Sequence, residues 1–281
     1  MRNLWRLHGQ SLCIGVARNG VCLLRSGGWR RAAPEVLGER ACLDGEAGHI
    51  GAVGAALAAL LADSGITGLP VTYVLADDLL RLWHVAPPPG VSRLADLEAA
   101  AALRFQTLYG EAATGWKLMA DWHTDTPFCA AAVPRPLLAL LEQGAAAQRL
   151  AVVAVLPHFV AAWNRWHGAL QAGAWFAQVG GQAGAEVLTL GVVRRRGQLH
   201  TVRTLAMPSG PDALAALLQR EALLLDVPVP ELLQVCGALP PGWLRPVGAG
   251  PVVLRHLGRP AAPGQALLSA AAALAWAGVP A

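Results

Sequence analysis

Lysine is nearly absent: Lys117 is the only one among 281 residues, and arginine carries almost all of the positive charge. Charged residues are 14% of the chain and the net charge is only +4. Nucleic-acid binding would call for a strongly basic stripe interleaved with aromatics, and none is present. Cysteines are few and scattered: Cys13, Cys22, Cys42, Cys129 and Cys236 show no CxxC spacing, and no Cys/His pair has the spacing of zinc ligands. They read as buried free thiols in a reducing cytoplasm. Long apolar runs are also missing. Residues 1–12 lack the apolar core of a signal peptide. The most apolar stretch, 266–279, falls short of the ~20 residues that cross a bilayer and reads as a buried helix of small residues. Ser64, Ser209 and Ser269 have no G-x-S-x-G context, so a serine hydrolase is unsupported.

What is present is a globular α/β pattern. Hydrophobic residues make up 54% of the chain, much of it alanine. Residues 11–25 alternate around Arg18-Asn19-Gly20, which predicts two strands and a hairpin, with a further strand near 39–43. The stretch "GHIGAVGAALAALLADSG" predicts a helix stopped by Gly65. Its G-x-x-G-x-x-G spacing lies inside the helical pattern, so close helix packing is favoured over dinucleotide binding. Strands are expected at 71–75, 79–85, 116–122 and 128–133, and Ser92 is placed as the cap of a helix running to Tyr109. Pro134 opens a helix to about Gln148. "LAVVAVLP" reads as a strand buried on both faces, followed by the helix "HFVAAWNRWHGAL".

The second part repeats the opening. Strands are expected at 174–179, 185–193 and 198–207, with a glycine turn at 180–184 and a tight turn at 194–197. A helix at 211–225, short strands near 232–236 and 252–254, and the final helix complete the chain. Two halves that each open on a glycine-turned meander suggest a duplicated α/β architecture.

Three stretches carry a resemblance to a known family. The first is "VTYVLADDLLRLWHVAPPPGVSRLADLEAAAALRFQTLYG", the second "FCAAAVPRPLLALLEQGAAAQRLAVVAVLPHFVAAWNRW". The third is "FAQVGGQAGAEVLTLGVVRRRG" with "GQLHTVRTLAMP", which places Arg203 on a strand. In order and spacing they resemble the actin-like ATPase superfamily, and within it the PilM, MshI and GspL proteins of type IV pilus and type II secretion machines. The resemblance implies a duplicated actin-like (ribonuclease H-like) α/β fold with an inserted small α+β subdomain. The expected boundaries are 1–85 and 134–170 for the first half, 86–133 for the inserted subdomain and 171–281 for the second half. Without the membrane and periplasmic parts of GspL, a stand-alone PilM- or MshI-like protein is favoured; a GspL-like cytoplasmic fragment is the alternative.

The resemblance also sets a chemical test. Active members hold ATP and Mg²⁺ between the halves, with a glycine hairpin and an acid from each. Backbone N–H groups cradle phosphate oxygens, and carboxylates hold Mg²⁺ through hard oxygen contacts. Here the positions that match are Cys13 with Gly15, and Gln178 with Gly180 and Gly181. A thiol is a poor Mg²⁺ ligand, and an amide brings no charge. No catalytic residue, metal ligand or cofactor is therefore expected; ATP binding without turnover stays open but is not favoured. The alternative is a nucleotide-binding actin-like ATPase or switch.

The implied function is a non-catalytic scaffold on the cytoplasmic face of the bacterial inner membrane. Its expected partner is the cytoplasmic tail of a PilN-like bitopic membrane protein, with an assembly ATPase or platform protein as a further partner. The tail's groove is expected from Leu80, Leu82, Trp83, Leu97, Ala101 and Phe105, beside the small subdomain, since aromatics favour binding hot spots. Asp121, His123 and Asp125 read as a turn in preference to a metal cluster. Arg194, Arg195 and Arg196 read as a solvated hairpin end, with contact to anionic lipid or an acidic partner as the other reading.

Overall fold

The structure, a computed structural model, describes residues 9–27, 33–43, 48–182, 184–193, 199–240, 243, 252–258 and 269–279. Its backbone is built twice on one plan. In the first half, β1 (Gln10–Ala17), β2 (Gly20–Gly27) and β3 (Glu35–Ala41) form an antiparallel meander. The helix α1 (Gly48–Ser64) leads to β4 (Pro70–Leu75), which lies parallel to β1.

The small subdomain follows: β5 (Arg81–Val85), α2 (Leu94–Tyr109), β6 (Trp116–Ala120) and β7 (Phe128–Pro134). Its strands order as β5-β7-β6. Next come α3 (Arg135–Ala147), β8 (Ala151–Pro157) and α4 (His158–Trp166). The second half comprises β9 (Trp175–Gln182), β10 (Ala185–Val193), β11 (Leu199–Ala206), α5 (Pro211–Leu225), β12 (Leu232–Gly237), β13 (Val253–His256) and α6 (Ala270–Ala277). The two large sheets have equivalent orders, β3-β2-β1-β4-β8 and β11-β10-β9-β12-β13. In each, a three-stranded meander is extended by two strands parallel to its first member.

Glycine serves close packing between helices here. A methyl group at Gly54 would meet Leu140 at 2.9 Å, and one at Gly144 would meet Leu57 at 3.3 Å, so α1 and α3 touch through small residues. Gly65 ends α1 in the left-handed region, as the pattern predicts. Arg93 holds the cap position of α2 with no side-chain capping bond, so Ser92 is not its cap.

Two expectations are corrected. The strand β5 pairs antiparallel with β7 and belongs to the small sheet, so the inserted subdomain begins near residue 81. The strand β8 is the edge of its sheet, with Val152 and Val153 40% and 67% exposed. The run expected to be buried on both faces is therefore only partly covered, although α3 and α4 pack on β8. Among the described residues no helix is long and apolar enough to cross a membrane.

Candidate functional site

The junction between the halves is built where α4 leaves the first sheet and the second sheet begins. Pro157 precedes α4 and gives it no side-chain cap. The missing acceptor comes from far away in sequence. Asp77, in a single helical turn after β4, accepts the Phe159 N–H at 3.1 Å and the Thr189 hydroxyl at 2.9 Å. Phe159 is on α4 and Thr189 on β10, so one carboxylate joins three elements from both halves. An acid at a helix N-terminus is favoured by the orphan N–H groups and the helix dipole.

Asp77 is buried, and that burial pushes its carboxyl up to about 7, aided by the neighbouring charge of Asp78 and opposed by its hydrogen bonds. Next to it, burial lowers His158 to about 4. A neutral imidazole follows, and its Nδ1 accepts from Gln178 Nε2 at 2.7 Å. Gln178 is fully buried on β9 directly opposite Thr189, and its Oε1 has no hydrogen-bond partner among the described residues. Gly180 keeps room for this pair: a Cβ there would lie 3.0 Å from Gln178 Nε2 and 3.2 Å from His158 Nδ1.

The other expected loop position has a different neighbour. Cys13 is buried, and burial pushes its thiol up to about 11 against a hydrogen bond with Ser26. The helix α6 crosses β1 at Gly15. A Cβ on Gly15 would lie 2.6 Å from the Ala275 nitrogen and 2.8 Å from the Leu274 Cβ, and one on Gly278 would lie 3.5 Å from Cys13 Sγ. Close packing against α6 therefore explains Gly15. At the adjoining turn, Arg18 pairs with Asp78 at 3.2 Å.

The second glycine loop is also differently placed. Gly180 and Gly181 are paired within β9, opposite Val187 and Glu186, and pairing continues to Gln182 and Ala185. The connection is thus tighter than the 180–184 turn expected, and Gly181 has φ of 92° inside the ladder.

All six residues expected to line a partner groove lie in hydrophobic cores. Leu80, Leu82, Trp83, Leu97, Ala101 and Phe105 are each 3% exposed or less. Trp83 meets Phe105 edge-on at 5.3 Å, and Phe105 meets Trp116 at 5.4 Å. Helical and strand periodicity mark an apolar face; here Trp83, Leu97, Ala101 and Phe105 seal the small subdomain internally, while Leu80 and Leu82 join the large core that contains β1 and β4. Arg203 stands on β11, 2.9 Å from the fully buried Glu221, which Arg220 also contacts at 2.9 Å. Among the described residues no group of three His, Cys, Asp or Glu is placed to hold a metal. Asp121, His123 and Asp125 are exposed. Arg194, Arg195 and Arg196 lie outside the described residues.

Asp77 is given no role by the sequence analysis above. The available signal was weak: two acids followed at once by Leu79 and Leu80, with no glycine or proline to mark a surface loop.

No protein-family model and no curated protein sequence matches the chain. Solved structures do. A Bacteroides thetaiotaomicron protein of unknown function with an actin-like ATPase fold is 11% identical, with 86% of this chain and 87% of that one covered and a TM-score of 0.57. The cytoplasmic domain of EpsL, an inner-membrane component of the type II secretion system of Vibrio cholerae, is 14% identical over 89% and 90% of the two chains, at 0.55. The PilM–PilN type IV pilus biogenesis complex gives 14% identity, 90% and 88% coverage and 0.55. With the same five-stranded order in both halves and these likenesses along nearly the whole chain, the protein has an actin-like ATPase fold.

Proposed function

We propose that this chain is a non-catalytic scaffold at the cytoplasmic face of an inner membrane, in the assembly platform of a type IV pilus or type II secretion machine. The likeness to PilM in its complex with PilN and to the EpsL cytoplasmic domain supports that setting. The observation that carries the non-catalytic part is the fate of the two positions where an Mg²⁺-coordinating acid belongs. Cys13 is buried beside Gly278 at the end of α6, and Gln178 is spent on His158. Neither offers a carboxylate to a metal, and neither is open to one. The partner is a short cytoplasmic tail of a PilN-like bitopic membrane protein, bound by surface residues other than the six core residues above.

Calorimetry with such a tail peptide tests the partner. Binding is expected; no heat from a demonstrably folded protein overturns it. Thermal unfolding with Mg-ATP tests the chemistry. A ligand at about 100 times its Kd adds about 2.7 kcal/mol. In a protein of this size that would raise Tm by about 5–10 °C. No shift and no phosphate release are expected, whereas a shift of that size would replace the scaffold reading with a nucleotide-binding one.

A further inference from the structure

The small subdomain has a core of its own. Trp83, Leu97, Phe105 and Phe128 belong to a cluster whose residues all lie in β5, α2, β6, β7 or the turns between them. Two stretches of chain tie it to the first half: residues 76–80 run from β4 into β5, and Pro134 passes directly from β7 into α3. Its other face is turned toward the second half. On that face Leu82 and His84 of β5 stand opposite Ala131 and Cys129 of β7. Both strands lie against β11, with the rings of His84 and His200 5.7 Å apart. Leu82 apart, these side chains are small or polar, and a contact of that kind leaves two bodies free to move relative to one another. A buried bond stands at the first connection. The Ala76 N–H donates to the Val16 carbonyl at 2.9 Å, which fixes the exit from β4 on the first half. The next residue, Asp77, accepts the hydroxyl of Thr189 on β10, in the second half, at 2.9 Å.

We propose that the small subdomain turns as one hinged body about residues 76–80 and 134–135, and that the Asp77–Thr189 hydrogen bond is the latch that holds it down on β11. Hinges absorb their rotation in a few residues at the ends of elements, and the single helical turn Asp77–Leu79 is such a place. Opening leaves the ring cluster of Trp83, Phe105 and Trp116 intact, because all three move together. It loses only the thin contact with β11 and the latch, so it requires less free energy than unfolding. Asp77 keeps its bond to the Phe159 N–H, which lies in the same half, and α4 stays capped. Both ends of the latch are out of water when it is shut, with Asp77 and Thr189 buried. Both are hydrated once it opens, which sets the net worth of the bond at about tenfold in the opening equilibrium. This inference is independent of the partner and of any nucleotide.

Alkylation of the whole chain, read peptide by peptide by mass spectrometry, tests it. Val202 is buried on β11 two positions after His200, so it faces the small subdomain. In a Val202→Cys chain the introduced thiol reports opening, while Cys22, fully buried in β2, reports unfolding of the same molecule. The introduced thiol is expected to react faster than Cys22, with a rate that low urea hardly changes, because a local opening exposes little surface. Adding Thr189→Val, or Thr189→Ala as a second form of the same loss, should raise that rate about tenfold. Thr189→Ser keeps the hydroxyl and should return it to the starting value. Val53→Ala weakens the first half at α1, away from the hinge, and should speed Cys22 alone. Equal rates and equal urea dependence for the two thiols would show that no hinge opens short of unfolding, and would overturn the proposal. A faster introduced thiol whose rate ignores both losses at Thr189 would remove the latch.

Discussion

Gly15→Ala is expected to lower the melting temperature of the ligand-free protein by about 6–12 °C. The Ala275 nitrogen stands 2.6 Å and the Leu274 Cβ 2.8 Å from where the new methyl group would sit, and the Ala271 carbonyl oxygen is closer still. Backbone atoms of a helix cannot rotate out of the way as a side chain can. Either α6 lifts from β1 or β1 shifts within a sheet whose core includes Leu12, Ile14 and Val16. Overpacking a filled interior costs typically 1–3 kcal/mol, and a clash with backbone belongs at about 3. For a chain of this length each kcal/mol moves Tm by about 2–4 °C. Gly168→Ala is the control, because no described residue lies within 4 Å of its Cβ position; it should stay within about 1 kcal/mol. Calorimetric melting of both variants decides between two roles for Gly15. A residue kept for contact with a phosphate would leave the ligand-free melting temperature unchanged when replaced by alanine.

The second large effect concerns pH and is hidden in the wild type. Asp77 titrates near 7 in the folded protein against 3.8 ordinarily. Between those values the folded state holds a proton that the unfolded chain has lost, so stability falls as pH rises from about 4 to about 7. His158 titrates near 4 against 6.5. Between those values the unfolded chain holds the extra proton, so stability rises with pH over about 4 to 6.5. Each contributes about 3–4 kcal/mol at full effect, with opposite sign. The wild type should therefore show a nearly flat profile up to about pH 6.5 and a decline only near 7. Single variants separate the two. Asp77→Asn keeps the shape and an acceptor for the Phe159 N–H, and its stability should climb between pH 4 and 6.5. His158→Asn keeps an acceptor for Gln178 in place of Nδ1, and its stability should fall between pH 4 and 7. Urea unfolding at several pH values measures both slopes. Flat profiles in both variants would mean that neither group is shifted in this way.

The order of elements was legible because periodicity and turn chemistry are local. The hairpin at Arg18-Asn19-Gly20, the stop at Gly65 and the helix from Pro211 to Leu225 all follow from residues within a few positions of each other. The repeat of a meander followed by parallel strands was also legible, because each half must hide its own apolar faces. The glycines of β9 were misplaced for a related reason. Glycine marks a backbone need, and a turn and a close approach to His158 leave the same mark in sequence.

What only the tertiary structure decided depends on contacts between distant segments. Asp77 finds its donors 82 and 112 residues away, and only those contacts turn an acidic turn into the cap of α4. Gly15 is explained by a helix that begins at Ala270. The six apolar residues assigned to a groove show the same limit: a pattern says which face is apolar, while the fold says whether that face meets a core or a partner. For β8 the pattern predicts burial on both faces, whereas the fold leaves Val152 and Val153 exposed. Amino-acid identity fixes local conformation and the need for burial, whereas the chain's return path determines what satisfies that need.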